Sequence, residues 1–443
     1  MADKPLSGIT VVDFSQFLSG PYTGLRLADL GARVVKIENP RGGDLCRRLY
    51  ISNVEIEGDS SLFHAINRNK MSFCVDLKDE RERLPLVRLL EKADVVIQNF
   101  RPGVIERLGF GYEDVRRINP RIVYGSISGY GTEGPLAEAP GQDLLVQSLT
   151  GLARLGEEDG EAPMAYGLAV ADMSAGALLA EGILAALVRR SIAGQGALVE
   201  VSLLESTLDL MQEALADAPV GALAAKPDGL PAEAPVAGAA GAFRAESGPL
   251  PAERPDLAPA EMFRAESGSE SAKAPDVAQA EIYRPESGFE SVKAPDVAPA
   301  GIYRTGDSYI AIGRGAPLFA LGRAIGWFDA EERVLAPAGS RAAQPGIRER
   351  LQSKFGERTT AEWLASIEQA GIPCSEVLDW PNLLKHDGFR ALEMIQTVRR
   401  ASGATLAALR CPIRIDGKRL TSATGSPGIG EHNTAILREL EGR

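Results

Sequence analysis

Six short runs rich in β-branched and aromatic residues recur through the first 203 positions, each parted from the next by a helix-length stretch or a turn. They lie at 8–14 (GITVVDF), 32–38 (ARVVKIE), 72–77, 94–100 (DVVIQNF), 121–128 (RIVYGSIS) and 198–203. Runs of this length and composition read as buried strands. Strands that alternate with helices make βαβ units and a mostly parallel sheet. A turn with Gly20 and Pro21 precedes a helical stretch to Leu30, and Gly31 ends it. Further helices are expected over 79–92, 142–155, 173–193 and 204–217. The expected fold class is therefore α/β, with an open parallel sheet in a large first domain, 1–217.

The composition changes after that point. Residues 218–300 are dominated by Ala, Pro, Glu and Gly, and they carry a tandem repeat of period 20. Phe243-Arg244-Ala245-Glu246-Ser247-Gly248 returns at 263–268 and again, as Tyr-Arg-Pro-Glu-Ser-Gly, at 283–288, with a diverged copy at 303–308. Stacked copies would make a small solenoid. Each copy offers few large apolar groups, so a duplicated, extended or disordered insertion is the better reading. A smaller α/β domain is expected over 301–395. It has a strand at 308–313, helices near 317–325, 346–355 and 360–370, a strand at 374–378 and a helix running to 395. The last segment, 396–443, is expected to return to the large domain, with extended pairs over 404–417 and a helical tail.

Charge and cysteine usage exclude several classes of function. The formal charge is −12, which argues against a nucleic-acid partner. The four cysteines form no C-x-x-C pair, so neither a disulfide framework nor a metal site is expected. A reducing, cytoplasmic compartment follows. No secretory signal is visible, and the apolar stretch 175–188 reads as too short for a bilayer and contains Glu181, so no membrane is expected.

No phosphate-binding P-loop and no G-x-G-x-x-G after the first strand are present, which disfavours a nicotinamide enzyme. The informative feature is Asp172, a single carboxylate opening an otherwise apolar, small-residue helix. Asp favours helix N-caps, which is the structural reading. The functional reading is a carboxylate nucleophile that attacks an activated acyl group. Lys36, Arg41, Lys70, Lys78, Arg101 and Arg107 lie near the ends of successive strands, where open parallel sheets bind ligands. Each alone also reads as a solvated surface charge.

The stretches VVDFSQFLSGPYTGLRLADLGARVVKIENPRGGD (11–44), NRNKMSFCVDLK (67–78), ADVVIQNFRPGVIERLGFGYEDVRRINPRIVYGSISGYG (93–131) and GLAVADMSAGALLAEGILAAL (167–187), with GEHNTAIL (430–437), resemble the class III CoA-transferases. This is the carnitine and bile-acid-inducible family that includes formyl-CoA transferase. The resemblance covers nearly all of the chain outside about 218–300. It implies a Rossmann-like large domain, a smaller α/β domain and an obligate, interlaced homodimer. It implies coenzyme A and its acyl thioester as substrates, with no tightly bound cofactor, and a small carboxylate as acceptor. The nucleophile falls on Asp172, with Asp143 and Gln142 in the active centre. Phe17, Leu18 and Ser19 are implied at the thioester end, Val75 and Lys78 beside the adenine nucleotide, Asn99 and Phe100 along the pantetheine, and Arg107 at the phosphates. A run of consecutive glycines that covers the intermediates in formyl-CoA transferase has no counterpart here, Gly238-Ala-Ala-Gly241 being the nearest substitute.

Two rivals stand beside this expectation. α-Methylacyl-CoA racemases share the fold and pair an aspartate with a histidine. Here the corresponding position in Gly141-Gln142-Asp143 is Gln142, which is no base at neutral pH. A non-catalytic CoA-binding protein that uses the repeat as an interaction arm is the other. Arg47, Arg48 or Arg304 are candidates to pair with a second substrate carboxylate.

Overall fold

Val11, Val34, Val95 and Val123 turn to one face of a six-stranded sheet, and Val12, Val35, Val96 and Tyr124 turn to the other. Burial on both faces is why these strands read as near-continuous apolar runs instead of alternating ones. In the computed structural model of the chain the described residues are 4–49, 54–155, 162–216, 299–313, 316–327 and 344–442. The repeat expected over 218–300 lies, but for its last two positions, outside them. The chain divides into one unit of residues 1–215 and 291–443 and another of 216–290, and the elements that follow belong to the first.

The strands are β1 (Thr10–Asp13), β2 (Arg33–Glu38), a hairpin of β3 (Glu55–Ile56) and β4 (Asp59–Ser60), then β5 (Lys70–Cys74), β6 (Val95–Gln98), β7 (Val123–Ser128) and β8 (Ala197–Ser202). The large sheet has the order β5-β2-β1-β6-β7-β8, and every neighbouring pair is parallel. The chain thus runs outward from β1 through β2 to β5, then returns to the other side of β1 for β6. That reversal opens a crevice beyond the carboxyl ends of β1 and β6, the place where open α/β sheets take ligands.

One face is covered by the helices Ser19–Asp29 and Val170–Ala193, which bury Leu27, Ala28, Ala175, Leu179 and Ile183 against the sheet. The other is covered by Glu80–Lys92, Tyr112–Ile118 and the C-terminal helix Asn433–Leu440, through Leu86, Leu90, Val115 and Ile436. The C-terminal segment also closes the edge at β5, where the backbone N–H of Cys74 donates to Asn433 Oδ1 at 2.8 Å and that of His432 to the carbonyl of Ser72 at 3.1 Å. Covering an exposed edge removes a site for unwanted strand pairing.

Helix Val170–Ala193 has 24 residues, longer than the stretch expected from sequence, and by length and composition alone it is apolar enough to cross a membrane. Its small residues serve instead for close packing. At Gly176 an added Cβ would sit 2.5 Å from the backbone oxygen of Ser19, and Thr23 Oγ1 donates to the Gly176 carbonyl at 2.9 Å. Helices Ser19–Asp29 and Val170–Ala193 therefore meet backbone to backbone at this point.

A second, antiparallel sheet pairs β9 (Gly301–Arg304), β10 (Tyr309–Ile312) and β11 (Cys374–Glu376), with Tyr303, Leu351, Phe355 and Trp363 in its core. Two expected helices are shorter than the sequence suggested. The one over 142–155 stops at Leu149, because Gly151 adopts φ +81°. The one running to 395 resolves into Trp380–Leu383 and Asp387–Leu392, then ends where Glu393 takes φ +49°. The chain continues as β12 (Ile395–Arg399), antiparallel to β13 (Thr405–Leu409).

Gly176→Ala tests the helix contact. Alanine is intrinsically better than glycine in a helix by ~1 kcal/mol. Overpacking against unyielding backbone costs about 1–3 kcal/mol. Net destabilisation is expected, read as a lower midpoint in urea unfolding.

Candidate active site

The loop after β1 (Phe14 to Leu18) enters the crevice under three restraints. Asn99, just beyond β6, accepts the backbone N–H of Gln16 at 2.8 Å on Oδ1, while its Nδ2 donates to the Gln16 carbonyl at 2.7 Å and to Ser19 Oγ at 3.4 Å. Phe17 is held in the left-handed region at φ +63°, unusual for a bulky residue, and its N–H donates to Asp44 Oδ1 at 3.1 Å. Its ring is 47 % exposed, so burial of the side chain does not impose this conformation. Asp44 is in turn anchored by Lys36 at 2.7 Å, with both side chains fully buried.

Beneath this loop lies a buried ionic web. Lys36 Nζ also donates to the Ser15 carbonyl at 2.7 Å, Ser15 Oγ donates to Asp13, and Lys70 pairs with Asp13 at 3.0 Å. Burial disfavours the charge on Lys36, but Asp44, Asp13 and Glu38 outweigh it and push its pKa up to about 12. At Lys70 burial wins against Asp13 and pulls the pKa down to about 8. Neither lysine is a surface cation, so neither is available to a ligand's phosphates. Arg47 is likewise occupied internally, by Glu38 and Asp59, each at 2.8 Å. Lys78, Arg101, Arg107, Arg48 and Arg304 are exposed.

Asp172 sits in the first turn of helix Val170–Ala193, two residues inside its start. The N-cap is Ala169, and no side chain caps this end, so the carboxylate does not serve as the cap. The helix crossing at Gly176 brings it close to the hydroxyl of Ser19. Asp143 opens helix Asp143–Leu149, and its Oδ1 accepts the backbone N–H of Asp172 at 3.1 Å. That start is fixed by a pinch at the base of the preceding loop, where a Cβ on Gly129 would fall 2.6 Å from the Gly141 Cα. Burial, then the neighbouring charge of Asp143, raise the Asp172 pKa to about 6, and the nearby Ser19 hydroxyl opposes them. At neutral pH Asp172 is thus ionised for the most part, yet more basic than an ordinary carboxylate. It is only partly exposed and lies beside the crevice.

The structure brings together Asp172, Asp143 and Ser19, and ties Asn99 to the same loop as Phe17 and Leu18. Gln142 is the exposed N-cap position of helix Asp143–Leu149, with no side-chain cap bond. Phe100 follows Asn99 and is half-buried, and Val75 is buried in the apolar core beyond β5. Lys78 and Arg107 stand on exposed segments following β5 and β6. Sequence reading missed Gln147, which is buried and bonded to Asp143. Its position four residues after Asp143 on a helix is the signal that places the two side chains together.

The raised Asp172 pKa carries a stability consequence. The folded chain holds this proton more tightly than the unfolded chain, whose carboxylate titrates near 3.8. Stability linked to the group is therefore full below about pH 4 and is lost as pH rises through about 6. Asp172→Asn is expected to raise the unfolding midpoint at pH 7 and to leave it nearly unchanged at pH 4. A destabilised Asn variant at pH 7 would show that the carboxylate is there for structure.

The model of CoA-transferase family III matches residues 6–252 and 269–433. The acetyl-CoA:oxalate CoA-transferase of Acetobacter aceti is 42% identical over 213 residues, 48% of this chain and 54% of that protein. The succinate–glutarate CoA-transferase of Agrobacterium fabrum is 40% identical over 206 residues, 45% of this chain and 51% of its own. The chain spans about half the length of the curated relatives it matches. A crystal structure of a CAIB/BAIF family protein from Brucella suis superimposes with a TM-score of 0.74 at 26% identity, covering 99% of this chain and 100% of the other.

Proposed function

The chain belongs to CoA-transferase family III, and from that premise we propose that it moves coenzyme A from an acyl-CoA thioester to a small carboxylic acid, with Asp172 as the covalent nucleophile. The observation that carries this reading is the desolvated Asp172 carboxylate, raised to about 6 beside Asp143 at the mouth of the crevice. A carboxylate of ordinary basicity is a poor match for a thioester carbonyl, and greater basicity improves it.

In the proposed cycle an Asp172 oxygen attacks the thioester carbonyl. The C–S bond breaks, CoA leaves as thiolate, and an acyl–aspartyl anhydride remains. The thiolate then attacks the aspartyl carbonyl of that anhydride, which forms an aspartyl-CoA thioester and releases the donor's carboxylate. The acceptor carboxylate attacks this thioester, its C–S bond breaks to release CoA thiolate and leave a second anhydride, and the thiolate then attacks the acceptor's carbonyl in that anhydride. Acceptor-CoA departs and Asp172 is restored as carboxylate. Each step develops an oxyanion that the site has to stabilise. The names of the two relatives, with oxalate, succinate and glutarate in them, favour a dicarboxylate among the acids used. We take the partner to be a second copy of the chain, covering the exposed Leu144, Leu149, Met164 and Leu168, which sedimentation of the full chain would register as a dimer.

Asp172→Ala is expected to abolish transfer while CoA binding stays within a few-fold of wild type. The wild-type rate should fall as pH drops through about 6, because protonated Asp172 cannot attack. Asp143→Asn removes the neighbouring charge and should move that limb to lower pH. Unchanged turnover in Asp172→Ala would sink the assignment.

A further inference from the structure

Gln147 lies one turn beyond Asp143 on the same helix and is 1% exposed. Its whole amide is engaged. Nε2 donates to Asp143 Oδ2 at 2.5 Å and to the Leu168 carbonyl at 3.1 Å, while Oε1 accepts the backbone N–H of Tyr166 at 2.9 Å. The other Asp143 oxygen accepts the N–H of Asp172 at 3.1 Å. An unbroken line of hydrogen bonds thus runs from the segment at 166–168, through Gln147 and Asp143, to the turn that carries Asp172.

The choice of an amide here has a chemical consequence. A lysine or arginine at this position would neutralise Asp143 and cancel its repulsion of Asp172. An aliphatic residue would take away the donor that Gln147 gives to Asp143 Oδ2 and free that carboxylate to turn. A neutral amide donates to Asp143 without adding a countercharge. We propose that Gln147 is a positioning residue of the reaction, one that holds Asp143 against the turn carrying Asp172 and fixes segment 166–168 beside it.

Among the described residues the titratable groups around it are few. Asp143 stands on its own helix and Asp172 on helix Val170–Ala193, and the adjoining segment carries Tyr166. Helix Leu203–Leu210, packed on the same helix, brings Glu205 and Asp209, which are bonded to Ser202 and Gln212. Arg154 lies on the turn that follows, and helix Ser19–Asp29 contributes the neutral Ser19.

The proposal rests on Asp172 as nucleophile, so the test follows the rate at which wild type, Gln147→Leu and Gln147→Glu acquire a covalent adduct from an acyl-CoA, by rapid quench and intact mass, across pH. CoA affinity and thermal melting are measured alongside. Gln147→Leu is expected to lose roughly 10- to 100-fold in adduct rate with CoA affinity unchanged, the size that follows from slight misplacement of a reacting group. Gln147→Glu keeps the shape. Protonated, its side chain donates to Asp143 and accepts from Tyr166; ionised, it repels Asp143. Its rate should therefore fall on the alkaline side, where wild type is level. Wild-type rates and profiles in both folded variants would overturn the proposal, as would a uniform loss in which CoA affinity and melting fall together. A wild type that forms no adduct at all removes the premise and identifies the nucleophile assignment as the failure.

Discussion

The site depends on one backbone contact, the crossing of helix Val170–Ala193 over helix Ser19–Asp29 at Gly176. With the Ser19 carbonyl only 2.5 Å from where a Cβ would stand, the two helix starts are held closer than side chains would allow. Because Ser19 begins one helix and Asp172 lies in the first turn of the other, this contact sets the carboxylate against a hydroxyl and away from bulk water. Ala171 and Ala175, both fully buried, bed the same turn onto the sheet. The chemistry follows from packing: small residues permit the approach, the approach desolvates Asp172, and desolvation together with Asp143 raises its basicity.

The buried charges beneath the β1 loop serve the same end. A left-handed conformation for a residue such as Phe17 costs on the order of 1–3 kcal/mol and persists only where its surroundings over-determine it. Here Asp44 holds the Phe17 N–H, Lys36 holds Asp44, and Asn99 clasps Gln16 on both sides. Ion pairs of this depth contribute little net stability, but removing one partner strands a charge and is costly. Their effect is to hold the β1 loop in a single conformation, with the N–H groups of Gln16 and Phe17 already engaged by Asn99 and Asp44.

Much of this was legible in the sequence. The strands announced themselves because parallel strands are apolar on both faces, and Asp172 stood out as a lone carboxylate opening an apolar helix. The family motifs placed Asp143 and the β1 loop. Other features were hidden for physical reasons. Lys36 and Lys70 look like surface cations until the register of β1, β2 and β5 sets them beside Asp13 and Asp44. Helix ends at Gly151 and Glu393 depend on left-handed backbone that propensity does not reveal. The β3–β4 hairpin and the helix Ser61–Asn67 have no periodicity strong enough to separate them from loop. Gln147 is one polar residue among leucines, and only its partners in the folded chain give it meaning.

The central claim is that a desolvated Asp172 becomes covalently linked during turnover. The direct measurement is peptide mass spectrometry after mixing the full chain with a panel of acyl-CoA thioesters, with hydroxylamine as trap. The account predicts a CoA adduct or a hydroxamate on the peptide that contains Asp172, absent from the Asp172→Ala chain. An adduct on a different residue, or none with any thioester despite CoA transfer in solution, would contradict it.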